Sequence, residues 1–226
     1  MKSLRLFGSL LVIFAASLFG AAQSPQTSPT PATQKTPALS EFKDEFDGAE
    51  LDAKKWEQYS LEGGGKIKVE KGRLQTNGAG GSRFGVRSVQ TFSGDKFAVS
   101  AQLAKVSAGL SQDSGTPTGN AILVILFDGG ANRIEWVLNT DGRLEAWAIR
   151  DGQGEKLDGN TLATKEKSPT LGIGRRGDDY FFMINNQVGL QKKIKNLPST
   201  FRVMLYGFGK SKDEWESVSV VTPEQK

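Results

Sequence analysis

The sequence predicts an all-β fold, a two-sheet antiparallel sandwich over residues 41–226, on three observations. Apolar residues from Phe42 onward recur with a period of two, that of a strand with one buried face, and not with the 3.6 of a helix. Asn77-Gly78, Asp128-Gly129, Asp141-Gly142, Asp151-Gly152 and Asp158-Gly159 punctuate the chain with residues that accept the positive φ of hairpin turns. No repeat of blade length occurs, which favours a sandwich or jelly roll over a propeller. The roughly 185 residues after the first 40 are enough for one domain with a full hydrophobic core.

Taken in order, Lys2 and Arg5 precede an apolar run over residues 6–19, and Gly20-Ala21-Ala22 offers small residues for cleavage before Gln23. That is the make-up of a signal peptide, residues 1–22, which would deliver the chain to the periplasm or the extracellular space. The run is shorter than the roughly 18 to 20 residues of a membrane span and is broken by Gly8, Ser9 and Ser17, so no span is expected after cleavage. Residues 23–40 hold four prolines, one charge at Lys35 and little to bury, the composition of a disordered Pro/Thr/Ser-rich linker. Strands are then expected at 42–46, 55–60, 66–70, 73–76, 84–90, 97–104, 120–127, 133–139, 143–150, 170–175, 180–184, 187–194, 201–208 and 215–221. Residues 121–127 are apolar on both faces, which places that strand at the centre of its sheet.

One hairpin can be read to the residue. With Thr140, Asp141 and Gly142 as a three-residue loop, Ile134/Ala148, Trp136/Ala146 and Leu138/Leu144 share one apolar face. The opposite face then carries Arg133, Glu135, Val137 and Asn139 facing Arg143, Glu145, Trp147 and Ile149. A slip of one residue would drive charge into the core, so the pattern selects this register.

Composition excludes several functions. The chain has neither Cys nor His, which removes disulfides, thiolate nucleophiles, histidine bases and Cys/His zinc sites, and leaves Asp, Glu, Lys or Tyr for any acid–base chemistry. No cofactor or metal is expected. Without Lys2 and Arg5 the balance is 27 basic against 25 acidic residues with the signs interleaved, unlike the basic stripe of a nucleic-acid binder. Oligomeric state is not legible.

Three segments together resemble the concanavalin A-like lectin and glucanase superfamily. Phe42 to Gly48 followed by Leu51-Asp52 and Trp56 resembles its opening, an aromatic and acidic strand and then a Leu-Asp…Trp turn. Arg175-Arg176-Gly177-Asp178-Asp179-Tyr180 leading to Ile184-Asn185-Asn186 is similar to a hairpin of laminin G-like and 3-keto-disaccharide hydrolase-like members. Val203 to Gly207 and Trp215 to Val220 resemble the closing strands, the last lying beside the first. The resemblance implies a jelly roll whose concave sheet meets sugars. It does not carry a catalytic set: on this reading the chain has neither the E-x-D-x-x-E strand of family 16 glucanases nor the Asn-Ser-Gly segment of the hydrolase-like members.

The polar face of the hairpin supplies the leading candidate site: Trp147, Glu135, Glu145, Arg133 and Arg143. An aromatic ring offers an apolar platform to the C–H face of a sugar while carboxylates and guanidiniums bond its hydroxyls. The same residues also suit a plain solvated sheet face. Glu135 and Glu145 would be diagonal neighbours about 7 to 8 Å apart, compatible with the roughly 5 to 9.5 Å of a glycosidase pair. Adjacent arginines, however, work against the proton that a general acid must carry. Two stretches read as irregular, 105–119 and 151–169, bring Asp113, Thr116, Asp158 and Asn160 to the sheet ends. The run from Asp151 lacks the EF-hand glycine, having Lys156 in its place. Asp44, Asp47, Asp213 and Glu216 come from chain ends that the resemblance places together, either a calcium site or simply edge charge. Trp56, Phe181, Met183, Phe201 and Trp215 read as packing residues, and Arg175, Arg176, Asp178 and Asp179 as a turn. These readings lead to an exported, non-catalytic glycan-binding domain. The alternatives are a carboxylate-dependent glycoside hydrolase-like enzyme and an envelope protein that binds another protein.

Overall fold

The computed structural model describes residues 39–78, 82–105, 119–158, 162–209 and 212–223. The leader, all but the last two residues of the linker, Asp113, Thr116 and Asn160 lie outside them. Among the described residues seventeen strands follow one another: β1 Leu39–Asp44, β2 Trp56–Glu62, β3 Gly65–Val69, β4 Leu74–Gly78, β5 Arg83–Ser88 and β6 Phe92–Ser93. Then come β7 Lys96–Lys105, β8 Gly119–Phe127, β9 Asn132–Asn139, β10 Arg143–Arg150, β11 Gln153–Lys156 and β12 Leu162–Ala163. The chain closes with β13 Thr170–Arg176, β14 Asp179–Ile184, β15 Gln187–Lys193, β16 Thr200–Gly209 and β17 Lys212–Pro223. None of the described helices is long and apolar enough to cross a membrane.

All strand pairings are antiparallel, and they form two sheets. One runs β15-β14-β13-β7-β17-β4-β3, with β1 on β17; the other runs β11-β10-β9-β8-β16-β5-β2, with β12 on β10 and β6 on β16. Every expected strand is present. Strand β8 is central, and its residues 121–127 are all buried. The hairpin of β9 and β10 adopts the register expected from its pattern: Trp136 faces Ala146, Leu138 faces Leu144 and Trp147 faces Glu135. Gly142 turns it at φ 86°, where an added Cβ would lie 2.4 Å from the Thr164 carbonyl oxygen.

Four details correct the sequence reading. Strand β1 begins at Leu39, two residues inside the stretch read as linker, because its backbone pairs with Thr222 and Pro223 whatever its side chains bury. The stretch 151–169 is not wholly irregular, since β11 and β12 pair with β10. Asn77 and Gly78 end β4, paired with Lys66 and Gly65, and do not form the predicted turn. Arg175 is no mere turn residue: it is buried and donates to the carbonyls of Gly177, Leu197 and Pro198.

The core fills the space between the sheets, and the three buried indoles tie it together. Trp56 of β2 donates to Asp44 of β1 at 2.7 Å, Trp136 of β9 to the Met183 carbonyl of β14 at 2.8 Å, and Trp215 to Thr76 at 3.2 Å. The first two bonds link one sheet to the other. A chain of rings runs through Phe42, Phe92, Phe201 and Phe97, the last two with centroids 4.2 Å apart.

Candidate functional site

Because strand side chains alternate, the sheet containing β8 has a second face, turned away from the core. Register places a row across it: Lys156, Trp147, Glu135, Val124, Met204, Arg87 and Glu57, one from each of seven strands. The neighbouring row holds Val137, Ile122, Tyr206, Gly85 and Tyr59. This face is not the plain polar surface that alternation in one hairpin implies. Ile122, Val124, Leu126, Val137, Met204 and Tyr206 form a buried apolar floor beneath the charged side chains.

A hollow of about 270 Å³ opens on this floor, near the lower end of ligand-binding clefts. Trp147, Glu135, Glu145 and Arg133 line it, joined by Tyr206, Phe208, Arg83 and Asn120. Glu135 is buried, and its Oε1 accepts from Arg133 Nε at 2.6 Å and from the Tyr206 hydroxyl at 3.3 Å. Its Oε2 has no partner among the described residues. Arg133 also donates to the Gly130 carbonyl at 2.9 Å, which fixes the guanidinium against the strained turn after β8, where residues 128–130 all have positive φ. Burial, and secondarily the Glu135 charge, push the Tyr206 phenol well above its ordinary pKa, so it remains a proton donor. On the other side of Trp147, Glu145 Oε2 accepts the indole N–H at 3.2 Å and Oε1 accepts from Lys156 at 3.0 Å.

Chemically, the hollow offers a partly exposed aromatic ring, a carboxylate oxygen and a fixed guanidinium. Each glutamate is already ion-paired, Glu135 with Arg133 and Glu145 with Lys156. Beyond the hollow, Arg87 and Arg202 both donate to Glu57 Oε1, and Arg87 stacks 3.7 Å from the Tyr59 ring centroid. The Arg87 hydrogen bond comes first among the causes that hold the Glu57 carboxyl below its usual range. A larger hollow of about 640 Å³ lies near β2 and β3, lined by aliphatic Leu51, Ala53, Ile67 and Val69 together with Glu50, Glu57, Gln58 and Lys68.

No protein-family profile matches the sequence, and no curated protein matches it. Solved structures do match by shape. A carbohydrate-binding module, CBM66 from Bacillus subtilis, is 12% identical with a TM-score of 0.54, covering 70% of this chain and 91% of that one. A Bacillus licheniformis β-glucanase is 8% identical with a TM-score of 0.61, covering 82% and 98%. The Emp47p carbohydrate recognition domain is 14% identical with a TM-score of 0.58, covering 82% and 97%. The fold is the concanavalin A-like sandwich.

Within this concanavalin A-like sandwich, four of the five expected site residues come together and one does not. Arg143 is held at the hairpin tip by Asp141, Nε to Oδ2 at 2.6 Å, and is not among the residues lining the hollow. Asp158 is buried beside β10, where its Oδ1 accepts the Ala146 N–H in the gap between β11 and β12, a structural task. The acidic chain-end cluster does not assemble. Strands β1 and β17 pair as expected, but Asp44 faces Val218 while Asp213 faces Thr76, five residues further along β17. Asp44 is also engaged by Trp56, the Phe46 N–H and Lys55. Among the described residues no three acidic side chains converge on a metal-sized site. Contrary to that expectation the glucanase spacing does occur, at Glu45, Asp47 and Glu50, but past the end of β1, and none of the three lines the hollow.

Tyr206, Phe208, Arg83 and Asn120 were missed by the sequence reading. Their signal was parity: Arg202, Met204, Tyr206 and Phe208 alternate along β16 with core residues Val203 and Leu205. Using it required knowing that β16 lies beside β8, a pairing between distant strands that local pattern does not encode.

Proposed function

We propose that this domain is exported and binds a glycan, without cleaving it, in the hollow around Trp147. One observation carries the reading: the indole of Trp147 is partly open to solvent, directly across from Glu135, whose Oε2 has no partner among the described residues and whose Oε1 is held by Arg133. A ring and flanking polar groups of this kind match the two surfaces of a sugar, an apolar C–H face and a hydroxyl edge. The likeness to a carbohydrate-binding module and a carbohydrate recognition domain supports the ligand class.

The likeness to a β-glucanase, with two glutamates in one hollow, favours a second reading, glycan cleavage. A glycan array and a reducing-sugar assay on the same preparation separate the two. Array binding without turnover is the expected result. Turnover that disappears in Glu135→Gln establishes the enzyme instead, and silence in both assays rejects a glycan ligand and favours a protein partner. Export is tested by mass spectrometry of the protein recovered from a bacterial host: a mature chain starting at Gln23 is expected, and intact Met1 protein in the membrane fraction contradicts it.

A further inference from the structure

The four tryptophans divide unequally. Trp56, Trp136 and Trp215 are at most 1% exposed, and each indole N–H is satisfied inside the fold. Trp147 alone is open to solvent, yet it is restrained along its N–H edge. Its N–H edge meets Glu145 Oε2 at 3.2 Å, and the other oxygen of that carboxylate is held by Lys156 at 3.0 Å. Lys156 is itself the cross-strand partner of Trp147, so the three side chains close a ring across β10 and β11. Beyond the opposite edge stands Gly154, where an added Cβ would be in ordinary van der Waals contact, 3.7 Å from the indole Cε3, 3.9 Å from Cζ3 and 4.0 Å from Ile149 Cγ1. A methyl would therefore fit at 154, whereas a branched side chain there would compete with the six-membered ring for space.

We infer that Glu145 and Lys156 are positioning residues that fix the Trp147 indole, which packs against the apolar floor, as a ready-made stacking platform whose exposed side is left for the ring of a sugar. This rests on reading the face as a glycan site, and it reassigns Glu145 from ligand contact to support. A side chain ordered before the ligand arrives need not be immobilised on binding, so loss of the restraint should weaken glycan binding by between about twofold and tenfold.

Iodide quenching and fluorescence anisotropy measure the restraint without any ligand, because the other three indoles are inaccessible and Trp147→Phe supplies the background. Glu145→Ala and Lys156→Met should both raise the quenching constant and lower the anisotropy of the Trp147 component. Glu145→Gln, which retains an acceptor for the indole N–H, should restore most of the wild-type signal. Gly154→Val should displace the ring and shift its emission. If Glu145→Ala abolishes array binding while quenching and anisotropy stay at wild-type values, Glu145 touches the ligand itself and the inference fails. If Glu145→Ala and Lys156→Met both quench like wild type, it fails also. A domain that binds no glycan removes the reading of the face, while the restraint is still judged by quenching alone.

Discussion

Three residues show what burial demands of polar groups. Arg175 is buried with no carboxylate paired to it among the described residues; its guanidinium is satisfied by three carbonyl oxygens and lies 5.3 Å from the Tyr180 ring centroid. An ammonium cannot reproduce that fork. Arg175→Met should leave the Leu197 and Pro198 carbonyls unpartnered and cost about 2 to 4 kcal/mol in denaturant unfolding; a change below about 0.5 kcal/mol would show that water satisfies them. Tyr206 and Tyr180 are buried phenols, and burial pushes both above the ordinary tyrosine pKa. In the unfolded chain they ionise near pH 10, but in the folded chain only above it, so their contribution is intact below about pH 10 and lost as pH rises further. Each group can add up to about 1.4 kcal/mol per pH unit to that fall. Tyr206→Phe should therefore flatten the alkaline loss of stability relative to wild type, whereas an unchanged slope would mean the hydroxyl ionises freely.

At the scale of elements, legibility follows burial. The hairpin of β9 and β10 could be registered from sequence because one face is uniformly apolar and a one-residue slip would bury Glu135 and Arg133 in the core. Strand β11 could not be found, because Gln153-Gly154-Glu155-Lys156 is exposed throughout and carries no apolar period. Strand β6 is too short, at two residues, to show a period at all. The hairpin register makes a direct prediction. Trp136 is packed against Phe182, ring centroids 5.4 Å apart, and bonded to the facing sheet, so Trp136→Ala should cost about 3 to 5 kcal/mol. Unfolding within about 1 kcal/mol of wild type would mean that the faces are reversed.

For the molecule as a whole, the sandwich was legible and the site only in part. Alternation and turn chemistry specify strands locally, and they gave Trp147, Glu135, Glu145 and Arg133. The apolar floor and Tyr206 arise where β16 meets β8, across a sequence separation of about 80 residues, so no local pattern announces them. The first strand shows the same dependence on distant pairing. A chain starting at Leu39 should melt like the longer mature form, whereas one starting at Glu45 loses β1, uncovers β17 and orphans the Trp56 N–H. At least about 1 to 3 kcal/mol follows from the orphaned donor, and with roughly 2 to 4 °C per kcal/mol the drop in melting temperature should be several degrees or more. Equal melting temperatures for the two chains would mean β1 contributes nothing. The central claim, that the hollow around Trp147 is a glycan site on a stable frame, is tested most directly by Trp147→Ala, measured by array binding and denaturant unfolding on one preparation. The account predicts binding reduced several-fold or more, with stability changed by no more than about 1 kcal/mol. Full binding by the folded variant, or a loss of stability as large as that of Trp136→Ala, would contradict it.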